Sequence, residues 1–191
     1  MHQTFVHIGL SSWIIQDGNY GDFTVGQQTK FALEFYLPHD LQGAPDGPAA
    51  SEHITGSRYR VRGRVVFSNP NVWVIDTGTF VTFQETPPPS HAIVGKWVVG
   101  EINLGIDPFF YFEYLHRIEG MPCLSYPWMV RKIFRETTPW IEVTNDAGTY
   151  TARDQPREAF VPIHETKAWE DDDGNANYVL VCEKLGESES I

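Results

Sequence analysis

The chain has 191 residues, of which 41% are hydrophobic and 20% charged, and its formal net charge is −11. That size and composition predict one globular domain, 1–191, and exclude wholesale disorder. No apolar run approaches the roughly 20 residues of a membrane-spanning helix, and the start MHQTFVHIGLSSW lacks the basic-then-apolar order of a secretory signal, so the expected setting is cytoplasmic, with no membrane partner.

Short runs rich in Val, Ile, Thr, Phe, Tyr and Trp alternate with Gly, Pro, Asn and Asp, and no long stretch carries helical periodicity. This predicts an all-β fold, an antiparallel barrel or sandwich of about ten short strands. In chain order the first expected strands are Thr4–Ile8, Ser12–Gln16 and Lys30–Leu37. The segment Pro38–Ser57 has no periodicity and exceeds the usual connection length, which predicts a long irregular loop or lid.

Arg58–Phe67 follows, then Val72–Asp76 and Thr79–Gln84, with Ser68–Asn71 and Asp76–Thr79 as the turns between them. Further strands are expected over Lys96–Leu104, Phe109–His116 and Trp128–Glu136. Lys167–Glu170 is expected to partner a last strand, Tyr178–Lys184, and the tail Gly186–Ser190 to fray. The central part, a long glycine-interrupted strand, a hairpin and then strongly apolar strands, is comparable in outline to five-stranded OB-like barrels.

Charge is uneven along the chain: residues 1–57 carry −5, residues 58–136 carry +2 and residues 137–191 carry −8. Within the basic middle, Arg58, Arg60, Arg62 and Arg64 recur at every second position and project from one face of an extended strand. Arg131, Lys132 and Arg135 form a second basic cluster, and Phe110, Phe112 and Tyr114 lie in the aromatic run between the two. Cationic side chains interleaved with aromatic faces are what single-stranded nucleic acid binding requires. The competing expectation is that the arginines pair with carboxylates on neighbouring strands, Glu34, Glu101 or Glu113, while the rings fill a core. A +2 section inside a −11 protein favours internal pairing, because such affinity rests on net phosphate neutralisation.

Val-Ile-Asp76-Thr77-Gly78-Thr79 resembles the catalytic loop of aspartic proteases, in which Asp76 would share a proton with a second aspartate. No second Asp-Thr-Gly or Asp-Ser-Gly occurs, and a hairpin turn accounts for the tripeptide. Asp171, Asp173, Asn175 and Asn177 place oxygens at alternate positions as calcium loops do, but Cys182 stands where an EF-hand has its closing glutamate. A solvated acidic loop is therefore expected there. The seven histidines are scattered, and Cys123 and Cys182 make no disulfide framework. No metal or cofactor is expected.

Three functions follow from these features. The leading one is a non-enzymatic module that binds another protein through an acidic, aromatic-bearing surface. The alternatives are a single-stranded nucleic-acid-binding barrel, and a small-ligand binder or enzyme using a barrel-mouth pocket with Asp76 or Glu113 as its acid.

Overall fold

The computed structural model describes residues 4–186. Five strands close a barrel: β3 (Leu33–Tyr36), β6 (Arg58–Ser68), β7 (Trp73–Asp76), β8 (Val81–Gln84) and β9 (Trp97–Ile106). β9 runs antiparallel to both β3 and β6, β7 pairs with β6 and β8, and one parallel contact, Glu34 opposite Phe83, seals the ring. The alternation in β6 explains its place. Tyr59, Val61, Gly63 and Val65 are buried while Arg60 and Arg64 are exposed, as a two-residue period demands. The interior is filled by side chains. Phe35 meets Trp73 edge-on at 5.1 Å between centroids, and Tyr59 meets Phe80 at 5.3 Å.

The two hairpin turns have the predicted chemistry. The Asp76 carboxylate accepts the Gly78 N–H at 2.8 Å with Gly78 at φ 80°, and Asn69 Oδ1 accepts the N–H groups of Asn71 and Val72 at 2.8 and 2.9 Å.

A second group of strands flanks the barrel: β1 (Phe5–Ser11), β2 (Gln28–Phe31), β10 (Tyr126–Glu136), β13 (Phe160–Ile163) and β14 (Asn177–Lys184). β14 lies between β1 and β10, and β10 takes β2 and β13 along its other edge. Tyr178 to Cys182 are all buried, which is why this strand reads as an unbroken apolar run. Flank and barrel join where Gly9 of β1 sits beside Gly105 of β9, and one apolar core contains residues of both.

Several sequence expectations need correction. Ser12–Gln16 is not a strand but a short helix, α1, whose Ser12, Ile14 and Ile15 are buried while Trp13 faces out. It forms because β1 ends against the chain at 174–176: Ser12 donates through N–H to Ala176 O at 2.9 Å and through Oγ to Gly174 O at 2.7 Å. Phe109–His116 is likewise not a strand. It is the helix α2 (Phe110–Glu113) and a 3-10 turn over Leu115–Arg117, started by Asp107, whose carboxylate accepts the N–H groups of Phe110 and Tyr111 at 2.9 Å each.

Lys167–Glu170 forms a turn, and β14 finds its partners in β1 and β10 instead. The stretch 38–57 is not wholly irregular, since β4 (Gln42–Ala44) pairs with β9 and β5 (Ala50–Thr55) with β6. An unanticipated hairpin, β11 (Trp140–Asn145) with β12 (Gly148–Arg153), makes a separate two-stranded sheet. Of the expected frayed tail only Gly186 falls within the described residues. No helix among them is long and apolar enough to cross a membrane.

Candidate functional site

The arginine stripe lies on the outer face of β6. Arg60 sits between two carboxylates, Glu52 of β5 at 3.3 Å and Glu101 of β9 at 3.2 Å. Glu52 is opposite Arg60 in one register and Glu101 in the other, so the sheet itself sets up the triad. Arg62 bonds the Pro45 carbonyl and lies 5.7 Å from the Trp97 ring centroid. Arg58 and Arg64 make no ion pair among the described residues.

The second basic cluster is divided by a bulge between Val130 and Lys132. Arg131 donates to Glu183 at 2.7 Å and Arg135 to Asp171 at 2.7 Å, while Lys132 makes no ion pair among the described residues. Phe110 and Phe112 do not stand free as stacking platforms. They pack onto a second apolar cluster, formed by Tyr111, Leu115 and Leu124 over Val74 and Phe83 on the outer face of β7 and β8. Tyr114 is the exposed ring of the run, and its hydroxyl donates to Glu85 at 2.6 Å.

Asp76 is held in its turn and Glu113 is exposed on α2; neither lines any cleft described below. The acids with altered titration lie elsewhere. Glu34 of β3 is buried, accepts the Tyr36 hydroxyl at 2.9 Å, and has its carboxyl pushed up to about 7 by burial, reinforced by the charges of Asp107 and Glu85. Asp107 is also pushed up to about 7 by burial, against the opposing pull of the Tyr111 and Phe110 N–H groups. A lone Glu in an aromatic strand and an Asp before a proline were the only sequence signals of this pair.

Part of the acidic loop is engaged internally, while Asp173 makes no ion pair among the described residues. Asp171 takes Arg135 and the Tyr178 hydroxyl, while Asp172 takes Arg153, whose guanidinium lies 4.0 Å from the Trp140 ring centroid. Asp172 and Asp173 adopt positive φ values of 51° and 52°. No group of three or more His, Cys, Asp or Glu among the described residues is placed to hold a metal ion.

Around this turn gather three exposed tryptophans. Trp169 is 71% exposed, Trp13 50% and Trp140 48%, whereas Trp73 and Trp128 are wholly buried. Trp140 donates to Asp172 at 3.4 Å. Trp13 stands one helical turn before Gln16, whose amide donates to the carbonyls of Ala168 and Gly174 on either side of the acidic run. The sequence puts Trp169 directly before the acidic run but carries nothing that brings Trp13 and Trp140 to it.

Two clefts adjoin this face. One of about 480 Å³ lies between barrel and flank and is lined by Gly9, Gly105, Trp13, Tyr36, Phe160 and Glu136. The other, about 350 Å³, is bordered by Glu136, Trp140, Arg153 and Asp172, so Glu136 serves both. Elsewhere a cleft of about 450 Å³ is lined by Arg60, Arg62, Glu52 and Glu101. Another of about 790 Å³ runs past Lys30, Cys123, Ser125 and Lys184. Cys123 is exposed and Cys182 buried, and both are free thiols, with burial pushing the Cys182 thiol up.

No protein-family model, curated protein or solved structure matches this chain.

Proposed function

We propose that this protein is a binding module that engages a basic protein partner through the acidic, tryptophan-bearing face around Glu170–Gly174. The observation that carries this reading is the exposure of Trp13, Trp140 and Trp169 about one acidic turn. Tryptophan is enriched among the residues that dominate interface energies, and its face attracts arginine and lysine. The net charge of −11 speeds the encounter with a cationic partner.

The test is fluorescence anisotropy of short labelled peptides, arginine-rich, lysine-rich and glutamate-rich, at low and physiological ionic strength. Binding of the basic peptides alone, weakened by salt and at least about tenfold poorer in Trp169→Ala or Trp140→Ala, supports the reading. Equal affinity for the acidic peptide, or indifference to both substitutions, defeats it.

A second reading is single-stranded nucleic acid binding along β6, favoured by the closed five-stranded ring and by the absence of ion pairs at Arg58 and Arg64 among the described residues. It requires salt-sensitive binding of labelled single-stranded DNA or RNA that disappears in Arg58→Glu/Arg64→Glu.

A further inference from the structure

We infer that the 480 Å³ cleft between barrel and flank is a pocket for an arginine side chain of that basic partner. The inference rests on the protein-binding reading above and names what the partner presents.

Two glycines line the cleft at the ladder pair that joins β1 to β9. A Cβ on Gly9 would meet Ser57 Oγ at 3.0 Å, and one on Gly105 would meet the Tyr36 ring at 3.0 Å, so the two glycines let Ser57 and Tyr36 lie close over the strands, where both line the cleft. The walls are aromatic: Trp13 is 50% and Tyr36 43% exposed at its rim. Flat rings offered to solvent beside a groove suit a planar guanidinium, which stacks on them and is more weakly hydrated than an ammonium.

The charge is complementary. Glu136 lines the cleft and makes no ion pair among the described residues, although Arg135 and Arg153 nearby are both committed to aspartates. One Glu136 oxygen accepts the Asn177 amide at 3.0 Å, and Asn177 Oδ1 in turn accepts Ser11 Oγ at 3.0 Å. The carboxylate is therefore held in place before any ligand arrives, with its other oxygen without a hydrogen-bond partner among the described residues. The side chains of Asn103 and Ser57, also lining the cleft, make no hydrogen bond among the described residues and offer acceptors for the remaining guanidinium N–H groups. A volume of about 480 Å³ is within the range of ligand clefts and is ample for one such side chain with its stem.

The experiment compares three labelled peptides of one sequence in which the basic positions are arginine, lysine or citrulline, the last being an uncharged isostere of arginine. Each is titrated into the wild type, Glu136→Gln, Trp13→Ala and Trp169→Ala. The expected result is at least tenfold preference for arginine over both analogues, lost in Glu136→Gln and in Trp13→Ala. The Trp13 indole resonance should shift on adding N-acetyl-arginine amide to the unaltered protein, a readout independent of how the variants fold. Equal binding of the arginine and lysine peptides, unchanged in Glu136→Gln but weakened in Trp169→Ala, overturns the arginine pocket and leaves the protein-binding face standing. No binding of any peptide overturns both.

Discussion

Replacing Glu34 by Gln isolates the cost of a buried carboxylate. Glu34 is 7% exposed, and its carboxyl is raised from the ordinary 4.5 to about 7. A group raised in the folded state contributes stability that is complete below its unfolded value and is lost as pH climbs through the folded one. At about 1.4 kcal/mol per unit, ionised Glu34 costs the fold about 3 kcal/mol at pH 8 and about 1 kcal/mol or less at pH 5. Glutamine keeps the shape and an oxygen to accept the Tyr36 hydroxyl, now 2.9 Å away, and carries no charge at either pH. The wild type should therefore lose about 2 kcal/mol more than Glu34→Gln between pH 5 and pH 8, or about 4–8 °C in Tm for a chain of this size. Urea unfolding of both proteins at the two pH values measures the double difference. Asp107 titrates in both proteins and largely cancels. Parallel losses in wild type and variant would refute the reasoning, because the carboxylate would then be solvated or ionised at no cost.

Other expectations follow from individual contacts. His7 stacks on His53 at 3.9 Å, and burial, His53 and Lys132 lower its pKa from 6.5 to about 4. Stability from neutral His7 is thus full above pH 6.5 and is lost as pH falls toward 4, by about 1 kcal/mol after solvent screening of this partly buried ring. NMR titration should find the His7 midpoint well below 6 and moved upward in His53→Gln; an ordinary midpoint in the wild type would sink this account. In Gly63→Ala a new Cβ would lie 3.2 Å from Ile75 Cβ inside the barrel, so chemical denaturation should show a loss of about 1–2 kcal/mol. Arg60→Ala removes two exposed ion pairs and should change stability by less than about 1 kcal/mol in the same assay, whereas a larger loss would mean that the triad braces β5.

The candidate site was less legible than the fold. Glu101 was recognisable as a partner for the stripe because strand periodicity puts both on an outer face, and the structure joins it to Arg60 at 3.2 Å. Glu34 has the same periodic credentials yet is buried against Tyr36, and Glu113 lies on a helix. The aromatic run over Phe109–His116 suits a strand or a packed helix equally by composition. Two hydrogen bonds to the Asp107 carboxylate and an apolar surface on β7 and β8 decide for the helix.

Local rules determined whatever depends on nearest neighbours. Two-residue alternation sends Tyr59, Val61 and Val65 inward and Arg60 and Arg64 outward, and Asn69 and the Asp76–Gly78 pair make their own turns. Long-range pairing decided the rest. It set which carboxylates met which arginines, turned Ser12–Gln16 into a helix against Gly174 and Ala176, and brought Gly9 beside Gly105 to open a cleft. Those outcomes rest on contacts between residues distant in sequence, for which no local periodicity carries a signal. Trp13 and Trp140 come to the acidic turn beside Trp169 for the same reason.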